Sequence, residues 1–294
     1  MQRFIGPSIY LSAIAVAILI CVACQKAGAV WIAFPLVYLF GLLISLLMAF
    51  IWPTNQHRES WADFRESLVV ATAALGANQL FFGQWASQIS GAFNQSTFSD
   101  AYLQLIRGLP GWLGVLVIIV ISEGIGYLIH RWKHQNKWLW NRAHSPHHEP
   151  MGFGSALLLR ISHADLFIET IIRFSIVNML QFDQYLVTIA LTLGLLAAAL
   201  AHTNTSLKFG WLSEIFVTAD FHLWHHVPDR QVNFSSGLLN FFDRLGGTFF
   251  CPGYRPDQLG VNGISRVRTG WEVVLMRPLH LETPDGQQLQ DRRP

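Results

Sequence analysis

Long apolar runs separated by short polar breaks set the pattern of this chain. Between residues 1 and 52 the only charges are Arg3 and Lys26, and two runs lie there, 9–24 and 30–51. The second exceeds the roughly 20 residues a helix needs to cross a hydrocarbon core, and the first does so once its flanks are counted. Pro35 falls in the first turns of the second run, where its missing N–H is tolerated. A polar connector at 53–66, with His57, Arg58 and Arg65, leads to a third run at 68–82 that is richer in alanine. The stretch 84–110 has only Asp100 and Arg107 as charges and reads as interfacial, or as returning part-way. A fourth run, 111–129, delivers the chain directly to His130.

Beyond the next polar stretch, Arg160, His163, Asp165, Glu169 and Arg173 alternate with apolar residues over 151–173. That alternation predicts an amphipathic helix half in the interface, with Arg160 and Glu169 at the headgroup boundary. Residues 174–200 are apolar except for Asp183, which predicts two helices that go out, turn and come back to His202. From Lys208 the chain is soluble in character, it is loop-rich after 252, and 283–294 reads as a disordered tail. These patterns divide the chain into N-terminal transmembrane and interfacial helices (1–110), a catalytic region (111–252) and a C-terminal tail (253–294). The expected fold class is all-α: a polytopic membrane helical bundle with a helical cap on one side.

Arg131, Lys133, Lys137 and Arg142 crowd the end of the fourth run, and Arg58 and Arg65 the end of the second. If each of the first four runs crosses once from an inside N-terminus, both sets share a side, and the positive-inside rule makes it cytoplasmic. Composition agrees with lipid as the solvent: 52% of residues are apolar, 13% charged, and mean hydropathy is +0.35. A net charge of +2 is too small to suggest a nucleic-acid partner, and none is expected. Three cysteines make no disulfide framework, and Cys21 and Cys24 read as small membrane-facing side chains. The N-terminal run lacks a convincing cleavage site and reads as a retained span.

The candidate chemistry lies in histidine. The fourth run ends in H-R-W-K-H, followed by H-S-P-H-H, which places His130, His134, His144, His147 and His148 close together. H-L-W-H-H then repeats the later spacing at His222, His225 and His226. Chance would give about 0.02 such triplets in a chain with 12 His among 294 residues, so two of them carry meaning. His130 and His134 are one helical turn apart and share a face. The adjacent pair at 225 and 226 splays by about 100°, enough to serve two metal ions. Pro146 forbids an uninterrupted helix, and Ser145-Pro146 reads as an N-cap and first helical position. With His202 the count is nine, too many for one ion and enough for two at four or five each. Unrelated interfacial histidines are the bland alternative, and the grouping at the ends of apolar runs speaks against it. Imidazole alone does not choose among Fe, Zn, Cu and Ni.

These motifs resemble the integral-membrane fatty acid hydroxylase / sterol desaturase superfamily. The resemblance covers 123–248. It includes E-G-I-G-Y-L-I-H-R-W-K-H, both histidine triplets, His202 followed by Asn204, and the closing segment from Asn233 to Thr248 with F-F-D-R-L-G-G-T. It implies a di-iron centre on the nine histidines, on the face that the flanking charges make cytoplasmic, and zinc accepts the same nitrogen ligands. The implied reaction uses O2 and two electrons to hydroxylate or desaturate a lipid C–H bond of a sterol, fatty acyl or related chain. No H-P-G-G haem motif occurs, so electrons come from a separate donor, cytochrome b5-like or a ferredoxin/reductase. Two departures stand out: R-I-S-H-A-D replaces the usual R-x-H-P, and Ala198 stands where some members carry a tenth His.

Around the ligands, Glu123, Tyr127, His130 and His134 form one helical stripe. A carboxylate within an apolar helix costs about 2.5–3.5 kcal/mol, so Glu123 needs a partner. A histidine N–H or bound water is the functional choice, and an Arg held for packing is the plain one. Asp220 and Asp243 are further candidates to orient ligand rings, with Asn233 near the site. Tyr127, Trp132 and Trp224 are placed to line a gap for substrate. The competing reading is a His-rich membrane metal-binding or transport protein, but transporters hold ligands near the midplane on broken helices. A metalloprotease would need H-E-x-x-H, and H-H-E-P-M-G lacks the second His.

Overall fold

The computed structural model describes residues 2–78, 80, 88, 91, 99–228, 230–279 and 281. Among them the chain is helical, and pairing between extended segments is limited to the isolated bridges Phe216–Leu239 and Ile264–Leu281. Most of 84–98 and the tail 283–294 lie outside the described residues.

Helix α1 (Gln2–Lys26) buries Tyr10, Ala13, Ala17, Cys21 and Cys24, and leaves Leu11, Val16, Ile18 and Leu19 exposed. Helix α2 (Ala33–Ile51) does the same with Ala33, Val37, Gly41, Ser45 and Met48 against an exposed face of leucines. The buried stripes are small-residue stripes, so the helices approach closely, while the bulky apolar side chains face outward as they would toward lipid. After α3 (Trp61–Ala77) and α4 (Asp100–Gly108) come two more long helices, α5 (Gly111–Gln135) and, later, α7 (Gln184–Ala201). Helix α7 is the most enclosed, packing on α1, α2 and α5. Among the described residues, four helices are long and apolar enough to cross a membrane: Phe4–Lys26, Val30–Ile51, Gly111–Gln135 and Gln184–Ala201.

That set differs from the four runs expected first. The third run falls on α3, a 17-residue helix opened by a Ser60–Asp63 capping box and charged in its first half, so it does not qualify. The chain between α2 and α5 still changes ends. Trp52 O accepts from Ser206 N (2.8 Å) beside the His202 end of α7, whereas Tyr102 Oη donates to Leu180 O (2.9 Å) just before its start. The helix expected over 151–173 is also broken. A short helix at Ser155–Leu159 precedes α6 (His163–Ile168), which widens into a π turn at Glu169–Phe174 and continues over Ser175–Met179. Asp183 then caps α7 through Tyr185 N (2.8 Å). Arg160 is fully buried, not at a headgroup boundary.

One end of the bundle gathers the polar segments. Tyr10 donates to Val217 O (3.0 Å), which brings the start of α1 to the end that holds Trp52, the His130 turn of α5 and His202. Ser45 of α2 bridges Ser155 and Thr203 at 2.8 Å each, tying α2 to the residue after His202. Helices α2 and α7 pack closely at Gly41, where a Cβ would sit 3.0 Å from Ala199 Cβ and 3.2 Å from Leu196 Cδ1. Replacing Gly41 by Val should therefore cost roughly 1–3 kcal/mol of stability through overpacking. Thermal unfolding of detergent-purified protein measures it, with Gly76→Ala, which meets open space, as the neutral comparison. A Gly41→Val protein as stable as the wild type would contradict this α2–α7 contact.

Candidate metal centre

The histidines are brought together by the ends of helices. His130 and His134 occupy the last turns of α5, and Asn136 caps the next turn by accepting from Trp138 N and Leu139 N (3.1 and 3.0 Å). The break that Pro146 demands is taken as a π turn, Trp140–His144, directly before Ser145–His148, not as a fresh Ser145 cap. His202 stands just past the end of α7. Thr218 caps the helix Ala219–His222, which tightens into a 3-10 turn at Leu223–His226.

All nine histidines meet, in two groups. His130, His134, His144, His148 and His225 form one; His147, His202, His222 and His226 form the other, and the candidate donor atoms of each group lie within 4.8 Å of one another. Both adjacent pairs, 147/148 and 225/226, are divided between the groups. In the first, His144 Nε2 lies 2.9, 3.1 and 3.3 Å from the Nε2 atoms of His130, His134 and His148. In the second, His202 Nε2 lies 3.2 Å from that of His147 and 3.1 Å from that of His222. Ligands at about 2.0–2.1 Å from a common ion, spread by about 90–109°, stand about 2.9–3.4 Å apart.

Protonation explains why these contacts need a cation. Five Nδ1 atoms face carbonyl or carboxylate oxygens: His130 on Phe234 O (2.6 Å), His147 on Leu157 O (2.9 Å), His202 on Ala198 O (2.8 Å), His225 on Val232 O (2.9 Å) and His144 on Asp165 (2.6 Å). Each Nδ1–H donates outward, which leaves a lone pair on the inward Nε2. Burial, reinforced by neighbouring imidazoles, holds His147, His148, His222 and His226 well below the usual histidine range. Burial also lowers His202 to about 4 and His225 to about 3. Neutral nitrogens whose lone pairs converge at this spacing repel unless a cation sits among them, so the donor set fits two metal ions. The Nδ1 atoms of His222 and His226 are buried without a hydrogen-bond partner among the described residues.

The residues expected to orient the rings do other work. Glu123 pairs with Arg173 (3.4 Å), not with a histidine, and a side chain at Gly237 would run into its carboxylate. Tyr127 meets Thr248 Oγ1 (3.1 Å) and accepts from Arg131 (3.2 Å). Asp220 accepts from Phe209 N (3.0 Å) and faces Lys208. Asn233, in the left-handed region at φ 58°, donates to Phe221 O and Phe250 O (2.7 Å each). Asp243 accepts from Phe234 N and Ser235 N (2.7 and 2.8 Å), and so touches the site only through the Phe234 carbonyl that His130 uses.

The carboxylate that does orient a ring is Asp165. It binds His144 Nδ1 through one oxygen and Lys133 Nζ (2.5 Å) through the other, and Lys133 also reaches Glu169 (2.9 Å). Burial alone would raise its pKa, but Lys133 and His144 overcome that and hold it well below the usual carboxylate range. The signal for it lay in R-I-S-H-A-D, where a lone acid follows the departed family motif. Aromatic walls were missed as well: Trp140 lies against His134 and His148 (centroids 4.8 and 5.2 Å), and Phe153 stacks on His202 (5.8 Å).

A cavity of about 320 Å³ opens onto both groups, reaching His130, His144, His147, His202 and His222. Its outer wall is apolar, with Phe34, Leu158, Phe174, Leu191 and Leu195, and Lys133, Asp165, Glu169 and Arg173 line one side. Tyr127, Trp132 and Trp224 are not part of it. Trp224 packs on Phe250 and Tyr254, and Trp132 is 46% exposed on the outer surface.

Asp165→Asn should leave Lys133 with Glu169 as its counter-charge, weaken the bond to His144, and cost about 1.5–3 kcal/mol of stability. Thermal unfolding of the metal-free protein is the measurement, and Lys133→Met with Asp165→Leu should recover most of the loss. An Asp165→Asn protein as stable as the wild type would show that the pair is not buried this way.

Comparison with known proteins places the site. No curated protein and no solved structure matches the chain. Residues 115–248 match the fatty acid hydroxylase family model, a stretch that begins in α5, ends at Thr248 beside Asp243 and holds all nine histidines. That region, a little under half of the chain, carries its likeness to the fatty acid hydroxylase family.

Proposed function

We propose that this protein is a membrane di-iron oxygenase that hydroxylates or desaturates a C–H bond of a lipid, a sterol, fatty acyl or related chain. The observation that carries the reading is the meeting of two histidine groups on one cavity lined largely by apolar side chains. Two iron ions held there would supply the redox chemistry that reduces O2 and oxidises the C–H bond. In hydroxylation the balance is one lipid C–H, one O2, two electrons and two protons giving one alcohol and one water. The electrons come from a separate donor, cytochrome b5-like or a ferredoxin with its reductase.

The chain's own part is binding and placement. Nine neutral imidazoles offer Nε2 lone pairs, and outward Nδ1 bonds keep five of the rings, His130, His144, His147, His202 and His225, from turning. Asp165 and Lys133 hold the His144 ring from behind. Phe34, Leu191 and Leu195 give an alkyl or ring segment a water-poor path from the bilayer to the histidines. No side chain is needed as a general base. Zinc accepts the same nitrogen ligands, so zinc-filled protein would be inactive.

Elemental analysis of protein from iron-replete cells should give about two metals per chain. His147→Ala and His225→Ala strike different groups, and each should lower the metal count and abolish turnover while membrane insertion persists. Product formed from lipid extract and reductant without oxygen, or full activity in both variants, would rule the mechanism out.

Orientation is proposed on the flanking charges. Lys133 is buried in its ion pair, so the argument rests on Arg58, Arg65, Arg131, Lys137 and Arg142, which favour a cytoplasmic metal site. In a chain whose native cysteines are replaced, Gln135→Cys should resist a membrane-impermeant thiol reagent in intact cells. Ala27→Cys, exposed at the opposite end of α1, should react. Labelling at 135 from outside would reverse the orientation.

A further inference from the structure

Residues after the family match carry a feature that neither the histidine motifs nor the proposed reaction uses. Arg268 is 1% exposed and Glu149, the residue after His147 and His148, is 0% exposed. Arg268 Nε donates to Glu149 Oε1 (2.7 Å), its backbone N donates to Glu149 Oε2 (2.8 Å), and a terminal nitrogen closes a third bond to the same carboxylate. The remaining donors go to Ser145 Oγ (2.6 Å), Asn141 O (2.9 Å) and Arg277 O. A second buried arginine works from the other side: Arg160 donates to Pro146 O (2.9 Å) and to Arg268 O. Asn141 in turn accepts from Leu279 N (2.7 Å), and Gly260 N donates to His226 O (3.1 Å).

We propose that Arg268 is a positioning residue of the metal centre, acting through Glu149. The segment over 260–279 is then a strap that sets the turn bearing His144, His147 and His148. Those three histidines serve both groups, so one strap sets the spacing of both. A buried ion pair is weak evidence for stability, because apolar residues of like volume would do as well. What it supplies is direction: every guanidinium donor is aimed at a fixed backbone or side-chain oxygen of this turn or of the strap itself. The inference rests on the reading that the histidines hold metal.

The test uses Co2+, which accepts imidazole nitrogen and reports its ligand geometry in its visible bands. Full-length protein is stripped with chelator and titrated with Co2+, and the thermal midpoint of the metal-free protein is recorded alongside. Wild-type protein should bind two Co2+ per chain. Glu149→Leu with Arg268→Met replaces the pair by apolar volume, and should keep the metal-free midpoint near the wild type. It should nevertheless weaken Co2+ binding roughly 10–100-fold, as loss of an outer-shell partner does, and shift the bands. Glu149→Gln, which keeps the shape and one acceptor, should fall between and carries the same test where the double variant does not fold. Wild-type affinity and bands in a folded double variant, or in Glu149→Gln, would overturn the strap. A wild-type chain that binds no Co2+ would overturn the metal reading itself, and the strap with it.

Discussion

Mutual repulsion among unprotonated nitrogens is the constraint on which the rest of this structure depends. Nine imidazoles turned inward, lone pair to lone pair at about 3 Å, are unfavourable as a protein-only arrangement. The surrounding fold answers that strain at every ring it can reach. Carbonyls of Phe234, Leu157, Ala198 and Val232 take the outward N–H bonds, and Asp165 takes the remaining one under Lys133. Helix ends serve this purpose because their last carbonyls lack intrahelical donors. His202 uses the carbonyl four residues back on α7, an orphan of that kind.

The cavity follows from the same arrangement. The helices cross close together through small residues, and the cavity opens where α5, α6 and α7 meet the histidine turns. The π turn over Glu169–Phe174 widens α6 at that place and sets Glu169 and Arg173 into the wall. Their charges are spent on Lys133 and Glu123, which leaves the wall near neutral beside an apolar path.

Much of this was legible in the sequence, for unequal physical reasons. Histidine spacing was legible because a helical turn fixes which rings share a face, and the splay of His225 and His226 into two groups follows from it. The out-and-back pair around Asp183 was legible as an apolar stretch with one polar break. Whether the run at 68–82 spans stayed open in the sequence, because hydropathy beginning at Leu68 does not register the charged turn that starts α3 at Trp61. Glu123 was recognised as a residue in need of a partner, yet the partner lies 50 residues away on a helix read as interfacial. The partners of Asp165, Arg160 and Arg268 were out of reach for the same reason. A buried charge is identified by what it meets, and those meetings join segments that no local pattern connects.

The two histidine groups share two peptide bonds, His147–His148 and His225–His226, with neighbours assigned to opposite sides. Filling either group therefore stiffens the backbone on which the other is built. The second ion meets rings that have already lost their freedom, and so gives up less conformational entropy on binding than the first. On the proposed metal reading, filling one group would then favour filling of the other without any movement of the bundle.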